Sequence, residues 1–276
     1  MKKAEFWQHP DGHNIHYNWL PTSSARANLI LVHGIGEHIG RYCNDIPHFH
    51  DLRLNVLSYD QYGHGQTSGT RGGLDCDNRL DKDLEWIINK SNDLFPSELP
   101  KIIFGHSMGG AVVANRLAHS TQGLNAAILS SPALKPHGGK LSRWLAFGMA
   151  KLAPDLIVKH KLSMKVSHLP SVNQQLKNDP LCHKKISARL GKFIFTCGDN
   201  AKAASADWSI PTLLLYAGSD YLVDPKGSQY FAQQISPKIL QAKCFQNYYH
   251  EIFHEQNTKP VYEALSDWLD SILGKN

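Results

Sequence analysis

Short apolar runs alternate with helix-like stretches along most of this 276-residue chain, and this alternation restricts the fold more than any other feature of the sequence. The apolar runs have the length and composition of buried strands: Leu29 to His33, Asn55 to Tyr59, Lys101 to Phe104, Ala126 to Ser130, Thr212 to Tyr216 and Leu240 to Phe245. Apolar residues recur at three- and four-residue spacing in the stretches Leu80 to Asn89, Met108 to His119, Pro225 to Gln234 and Val261 to Leu273. The pattern predicts an α/β fold with a mostly parallel sheet covered by helices on both faces.

Two segments depart from this alternation. Residues 4 to 19 have the pattern of a hairpin, turned by Pro10-Asp-Gly12. A longer interval separates the fourth and fifth of the six apolar runs, which predicts an insertion at residues 135–207 and a core made of residues 1–134 and 208–276. Inside the insertion, apolar residues from Leu141 to Leu152 share one helical face, and we expect this stripe to pack onto the body of the protein.

Composition excludes several classes of protein. With 42% hydrophobic and 19% charged residues, the chain resembles an ordinary globular protein rather than a disordered one. No apolar run near the N-terminus suits a signal peptide, and none is long enough to span a bilayer. The five cysteines form no close pair and no metal-ligand spacing, which favours reduced thiols in a cytoplasmic protein.

The sequence Gly105-His-Ser-Met-Gly-Gly110 lies between a predicted strand and a predicted helix. In this context G-x-S-x-G indicates a nucleophilic serine on a sharp, strained turn. Small residues are needed at Gly105 and Gly109 because a Cβ there would collide with neighbouring backbone. Ser107 is therefore the candidate nucleophile.

A serine hydroxyl needs a general base, and the base needs a carboxylate to orient it. On a sheet of this kind the acid follows the strand after the nucleophile and the histidine comes last. Asp220 and His250 satisfy this order, but Asp224 and His254 lie four residues further on and satisfy it too. The residues alone favour Asp220 and His250 only slightly.

The reaction also needs two backbone N–H groups to stabilise an oxyanion. Met108, directly after the serine, supplies one. The turn His33-Gly-Ile-Gly36 follows an earlier strand, and Gly34 lets its backbone approach the site, so the Ile35 amide is the second candidate.

Two other motifs compete with this interpretation. Gly34-x-Gly-x-x-x-Gly40, with Asp60 after the next strand, imitates a dinucleotide-binding turn, but its spacing is not G-x-G-x-x-G. His250-Glu-x-x-His254 matches a zinc-protease motif, but it follows a strand almost directly instead of lying on an established helix. We therefore predict neither a metal nor a cofactor.

Several blocks together resemble the monoacylglycerol lipase and lysophospholipase family of α/β-hydrolases. They cover nearly the whole chain in the family's order: His33 to His38, Asp60 to Gly69 with Arg71-Gly72, Gly105 to Gly110, Ser130-Ser-Pro132, Asn178 to Leu181, Gly218-Ser-Asp220 with Val223-Asp224, and Tyr249-His-Glu251. The sequence departs from the family's pattern at Thr67, where serine is frequent, and around Ala201 to Asp207.

The resemblance implies an α/β-hydrolase fold and a serine hydrolase without cofactor that cleaves monoacyl lipids through an acyl-enzyme. It assigns the nucleophile to Ser107, the acid to Asp220, the base to His250 and the oxyanion hole to Ile35 and Met108. It also implies that residues 135–207 form a cap, or lid, over an acyl pocket. Hydrolysis of short-chain esters or thioesters, and a non-catalytic binding protein of the same fold, are the alternatives.

Charge is unevenly distributed along the chain. Residues 135–192 contain 12 Lys and Arg but only two acids, Asp155 and Asp179, whereas the whole chain has a net charge of +5. No aromatic and basic residues alternate as in nucleic-acid-binding proteins, so nucleic acid is not an expected partner. We expect a cytoplasmic protein, with the hypothesis that the basic segment contacts an anionic membrane surface.

Overall fold

A computed structural model of the chain describes residues 5–159 and 165–275. Residue 4 of the predicted hairpin lies outside the described residues, and so do residues 160–164 of the predicted insertion. The strands of the described residues are β1 Glu5–Gln8, β2 Asn14–Leu20, β3 Ala27–Val32, β4 Leu54–Tyr59, β5 Lys101–His106, β6 Ala126–Ser130, β7 Ile157–Lys159, β8 Lys185–Ser187, β9 Thr212–Ala217 and β10 Leu240–Phe245. The α-helices are α1 Ile46–Asp51, α2 Arg79–Lys90, α3 Met108–His119, α4 Gly139–Leu152, α5 Pro170–Asn178, α6 Ala188–Ala203, α7 Lys226–Gln234 and α8 Lys259–Leu273.

Eight strands form one sheet in the order β1-β2-β4-β3-β5-β6-β9-β10. The hairpin β1–β2 is antiparallel and joins β4 antiparallel, and the other six strands run parallel to one another. The predicted mostly parallel sheet is therefore confirmed, and its six apolar runs are the six parallel strands. Five of these strands, β3, β4, β5, β6 and β9, are buried on both faces, which explains why they are continuous apolar runs instead of alternating ones. The sixth, β10, lies at the edge of the sheet and is exposed at Gln241, Ala242 and Lys243.

Helices cover both faces of the sheet. On one face α1 and α8 pack over β3, β4 and β9 through residues such as Phe49, Leu265 and Trp268. On the other face α2, α3, α6 and α7 form a second core that includes Leu84 and Val112. The two layers fix the positions at which the parallel strands end, and those ends carry the candidate site.

Residues 135–207 leave the sheet after β6 and return to it at β9, and they contain α4, the short antiparallel pair β7–β8, α5 and α6. Within them, α4 packs on α6, and a Cβ at Gly191 would lie in ordinary contact with the Cβ of Ala146.

The expectation that the apolar stripe of α4 packs onto the body is wrong. Leu141 is 68% exposed, Trp144 72% and Leu152 82%. The reason is that α4 turns its opposite face, with the small residue Ala146, toward α6. The larger apolar side chains therefore remain in solvent.

Candidate active site

Ser107 occupies a strained turn between β5 and α3. Its backbone has φ 54° and ψ −118°, a conformation that residues other than glycine rarely adopt. The turn is held by the Ser107 amide, which donates to the Ser130 carbonyl at 2.9 Å, and by the Ser107 carbonyl, which accepts from the amides of Ala111 and Ala133. Strain of this kind costs about 1–3 kcal/mol and persists only where surrounding structure enforces it.

Glycine is required on both sides of this turn. A Cβ at Gly105 would lie 2.6 Å from the Gly109 carbonyl oxygen, and a Cβ at Gly109 would lie 2.3 Å from the carbonyl oxygen of Val32. Both neighbours are backbone atoms, which cannot move aside as the end of a flexible side chain would. The expected steric reason for these two glycines is confirmed.

Asp220 and His250 meet at the same edge of the sheet. Asp220 follows β9, His250 follows β10, and the Nδ1 atom of His250 lies 2.6 Å from Oδ2 of Asp220. The other carboxylate oxygen accepts the amides of Leu222 and Val223 at 2.7 and 3.0 Å. Burial alone would raise the pKa of Asp220, but the charge of His250 and these hydrogen bonds hold that pKa below its usual value.

The hydrogen bond at Nδ1 decides what the other ring nitrogen can do. Burial alone would lower the pKa of His250, but the charge and the hydrogen bond of Asp220 raise it above its usual value. The Nε2 atom is buried and has no hydrogen-bond partner among residues 5–159 and 165–275. When the ring is neutral and its proton is on Nδ1, Nε2 is free to accept a proton.

The alternative acid and base are engaged elsewhere. Asp224 forms an ion pair with Lys135 at 2.6 Å. His254 is bonded at both ring nitrogens, through Nδ1 to Glu251 at 2.8 Å and through Nε2 to Asp45 at 3.0 Å. Because both nitrogens of His254 face carboxylates, the His250-Glu-x-x-His254 sequence does not present two free imidazoles to a metal.

Ser107 and His250 line one cavity of about 190 Å³, together with Gly34, Ile35 and His106. The structure thus places the candidate nucleophile and base at one site, although no hydrogen bond joins the Ser107 hydroxyl to His250 Nε2 in the described residues. His106 lies beside both, with its ring 4.9 Å from that of His250. Burial and the neighbouring His250 lower the pKa of His106 to about 4, so this ring is neutral at physiological pH.

The turn after β3 approaches the serine closely. A Cβ at Gly34 would lie 3.1 Å from Cβ of Ser107, so glycine allows this approach. Glu37 holds the turn, since its Oε1 accepts the Gly34 amide at 2.6 Å and the Tyr42 hydroxyl at 2.8 Å. Over the described ranges, the amides of Ile35 and Met108 have no hydrogen-bond acceptor in the protein.

A second cavity, of about 230 Å³, opens on the other side of the serine. Ile35, Ser107, Met108 and Leu222 line it together with Ala133 and Val223. The rest of its wall is mostly apolar and comes from the insertion: Pro136, His137, Ser142, Ile186, Gly191, Ile194 and Phe195. Ser107 therefore lies at the junction of two cavities. The first has the charged residues Glu37, Arg41 and Glu251 in its lining and is called the polar cavity below, and the second is apolar.

A buried ionic network lies under the polar cavity, and it is not apparent from the sequence. The guanidinium of Arg41 contacts Glu37 at 2.8 Å and both carboxylate oxygens of Glu251 at 2.7 and 2.8 Å. Burial alone would raise the pKa of both carboxyls, but the charge of Arg41 lowers the pKa of each. Arg41 and Glu251 are 210 residues apart in the chain, so only the folded structure shows their pairing.

Comparison with known proteins identifies the family. The family model described as serine aminopeptidase S33 matches residues 23–257. The chain belongs to this family of α/β-hydrolases. It is 30% identical to a monoacylglycerol lipase of Mycolicibacterium smegmatis over 258 residues, which cover 92% of each chain. It is 26% identical to a monoglyceride lipase of Rattus norvegicus, over 91% of this chain and 84% of that protein.

Solved structures agree with this assignment. The crystal structure of a Paleococcus ferrophilus monoacylglycerol lipase superposes with a TM-score of 0.84 at 28% identity and covers 93% of this chain and 98% of that one. A soluble variant of a Saccharomyces cerevisiae monoglyceride lipase shares the fold, with a TM-score of 0.87 at 22% identity over 98% of this chain and 95% of that one. The predicted α/β-hydrolase fold and the resemblance to the monoacylglycerol lipase family are confirmed. The protein is an enzyme of the serine hydrolase class.

Two groups of potential metal ligands, neither of which includes Ser107, Asp220 or His250, occur in the described part of this α/β-hydrolase. In the first, Asp11 is hydrogen-bonded to His9 and His13 and also contacts Arg79. In the second, His38 forms an ion pair with Asp179 at 2.8 Å, and burial raises the pKa of the Cys182 thiol to about 12. These donors are engaged with one another or protonated, so we assign no metal to them.

No helix in residues 5–159 or 165–275 combines the length and the apolar character that a bilayer crossing requires.

Proposed function

We propose that this α/β-hydrolase cleaves the ester bond of monoacyl lipids through an acyl-enzyme on Ser107. The observation that carries the proposal is the buried, unpartnered Nε2 of His250, in the cavity that also exposes Ser107, with Asp220 bonded to the opposite side of the ring. A base with a free nitrogen, an acid that fixes its tautomer and a serine on a strained turn are the parts that nucleophilic ester hydrolysis needs.

In the first half of the reaction, His250 Nε2 takes the proton from the Ser107 hydroxyl as its oxygen attacks the ester carbonyl carbon. The tetrahedral intermediate then collapses, the imidazolium of His250 protonates the leaving alcohol oxygen, and the acyl group remains on Ser107. The hydroxyl oxygen of Ser107 and Nε2 of His250 must come within hydrogen-bond distance of each other when substrate binds. Catalytic hydrogen bonds that are long without substrate commonly tighten in the complex.

In the second half, His250 Nε2 takes a proton from water, whose oxygen attacks the acyl carbon. Collapse of the second intermediate releases the fatty acid, and Ser107 recovers its proton from His250. The amides of Ile35 and Met108 stabilise the oxyanion in both halves. They suit this role because neither has an acceptor within the described residues and both lie beside Ser107.

The two cavities support the assignment of a monoacyl lipid as substrate. With the ester at Ser107, the acyl chain enters the apolar cavity and the polar head group enters the cavity above Arg41. Residues 135–207 act as a cap in this proposal because Ser142, Ile186 and Phe195 contribute to the apolar wall. The relatives named monoacylglycerol and monoglyceride lipases also support this substrate class.

We further propose that α4 contacts an anionic lipid surface. Its exposed apolar residues Leu141, Trp144 and Leu152 lie in the basic segment 135–192, which contains 12 Lys and Arg but only two acids. Apolar side chains can enter the interface of a membrane while lysines attract its anionic head groups. The combination matches a lipid surface better than a protein partner.

A chain-length series tests the function. Purified enzyme and the Ser107→Ala variant are compared on glycerol monoesters from acetate to oleate, with released fatty acid as the readout. We expect a maximum at medium or long chains and no hydrolysis by the variant. A maximum at acetate would favour a short-chain esterase. If acyl thioesters are assayed beside the glycerol monoesters and are hydrolysed faster, the result would favour a thioesterase. No turnover on any ester would favour a binding protein. Loss of activity with a chelator, with Ser107→Ala still active, would favour zinc.

A further inference from the structure

Two lysines stand at the mouth of the polar cavity. Lys177, in the last turn of α5, and Lys184, directly before β8, both line this cavity, and both are exposed to solvent. A side chain that lines a cavity and is also exposed lies at its rim. Neither lysine side chain forms an ion pair or a hydrogen bond within residues 5–159 and 165–275.

The charges deeper in the cavity are already paired or absent. Glu37 and Glu251 both form ion pairs with Arg41, so each charge of the floor has a partner of opposite sign. Burial lowers the pKa of His183 and raises the pKa of Cys182 to about 12, so the two residues before Lys184 are uncharged at neutral pH. Among the described residues, the charged side chains of the lining that have no ion-pair partner are therefore the two lysines at the rim.

The segment that carries the lysines is attached to the turn after β3. The amide of His183 donates to the Gly36 carbonyl at 2.9 Å, and His38 Nε2 lies 2.8 Å from Asp179 Oδ2. These two contacts lie between Lys177 and Lys184 in sequence. They hold the segment against the turn that carries the Ile35 amide, so the rim has a defined position relative to Ser107.

The cavity size indicates which part of a substrate reaches the rim. The cavity of about 190 Å³ has room for several water molecules and therefore for a glycerol moiety. A group attached to the far end of that glycerol extends to the mouth. A phosphate there would meet two ammonium groups, each a strong donor to phosphate oxygens.

We infer that Lys177 and Lys184 bind a phosphate on the head group, so that the enzyme prefers monoacyl glycerophosphates to neutral monoacylglycerols. This inference rests on the proposed function, because it assumes that the ester lies at Ser107. The lysines act on substrate binding, and the hydrolysis steps are the same for both substrates.

The test compares hexanoylglycerol with hexanoylglycerol 3-phosphate at concentrations at which both are monomeric, so that no lipid surface is present. Initial rates of hexanoate release give kcat and KM. We expect the wild-type enzyme to have the higher kcat/KM on the phosphate substrate. In Lys177→Gln/Lys184→Gln the ratio of the two kcat/KM values should fall on the order of 10-fold, mainly through KM of the phosphate substrate.

Lys185→Gln/Lys238→Gln is the matched control, because it removes two exposed positive charges that line neither cavity. We expect it to keep the wild-type ratio, and we expect Lys177→Glu/Lys184→Glu to lower the ratio further. Added salt should reduce the phosphate preference of the wild type and have little effect on the glutamine double variant.

Three results would overturn the inference: equal use of both monomeric substrates, an equal fall of the ratio in the control, or a phosphate preference that appears only in anionic micelles. The last would assign the effect to a lipid surface. The Ser107→Ala variant separates this inference from the proposed function. If it still hydrolyses hexanoylglycerol, the proposed function fails. If it is inactive but the wild type shows no phosphate preference, only the inference fails.

Discussion

The imidazole of His254 lies between two buried carboxylates, with Asp45 at 3.0 Å from Nε2 and Glu251 at 2.8 Å from Nδ1. Burial alone would lower the pKa of His254, but hydrogen bonds to these two residues raise it to about 10. The folded protein therefore retains a proton that the unfolded chain loses near pH 6.5.

This pairing predicts how stability depends on pH. Because the pKa of His254 is higher in the folded than in the unfolded state, its contribution is complete below about pH 6.5 and is lost as the pH rises toward 10. The free energy of unfolding, measured by urea denaturation, should fall by up to about 1.4 kcal/mol per pH unit in this range. His254→Gln should remove this slope and cost on the order of 3 kcal/mol at pH 7, whereas His119→Gln, at an exposed position, should keep it. If the free energy of unfolding of His254→Gln depended on pH as steeply as that of the wild type, His254 would not be the source of the pH dependence.

Glycine substitutions test the strained turn. Gly109→Ala places a Cβ 2.3 Å from the carbonyl oxygen of Val32, and we expect it to lower the free energy of unfolding by about 3 kcal/mol or more. Gly148→Ala is the control, since a Cβ there meets nothing within 4 Å and the residue lies inside α4. It should raise stability by up to about 1 kcal/mol. Equal urea midpoints for the two variants would show that the turn tolerates a Cβ.

The sequence predicts those parts of the structure that depend on residues close together in the chain. The six parallel strands and the turn at Ser107 follow from short apolar runs and from glycines next to the serine, all of which act within a few residues. The exposed face of α4 was not predictable in the same way. A helical apolar stripe shows only that one face is apolar, and which face packs depends on distant small residues such as Gly191.

Long-range pairing explains the remaining gaps. On their order in the chain alone, Asp220 and Asp224 are nearly equivalent candidates, and so are His250 and His254. Their different partners become visible only when β9, β10 and the turn after β3 are brought together. The same holds for Arg41, whose two carboxylates come from the turn after β3 and the segment after β10.

The pH dependence of activity tests the role of Asp220. If neutral His250 is the base, kcat/KM falls as the pH drops through the pKa of His250, which Asp220 raises above 6.5. Asp220→Asn removes that charge. The acidic limb of the profile of kcat/KM against pH should therefore move to lower pH, and kcat should fall by up to about 10⁴-fold. Asp224→Asn removes a nearby carboxylate that pairs with Lys135 and should leave the limb in place. A limb that stays fixed in Asp220→Asn would argue against the pairing as the cause.

Vesicle binding tests the proposed contact of α4 with lipid. Co-sedimentation with phosphatidylglycerol-containing vesicles should decrease steeply with added salt, and Trp144→Ala should weaken it several-fold, because Trp144 is 72% exposed in the basic segment. Phe6→Ala is the matched control, since Phe6 is 47% exposed but lies on β1, outside that segment. Binding that is insensitive to both salt and Trp144→Ala would remove the proposal.

Covalent labelling by a fluorophosphonate tests the central proposal most directly, because the probe reacts only with an activated serine. Intact-mass measurement and peptide mapping should show one adduct on the wild-type enzyme, located at Ser107, with parallel loss of ester hydrolysis. Ser107→Ala should show no adduct while keeping the wild-type circular dichroism spectrum. An adduct at another residue, or a Ser107→Ala variant that hydrolyses glycerol monoesters at the wild-type rate, would contradict the assignment of Ser107 as the nucleophile.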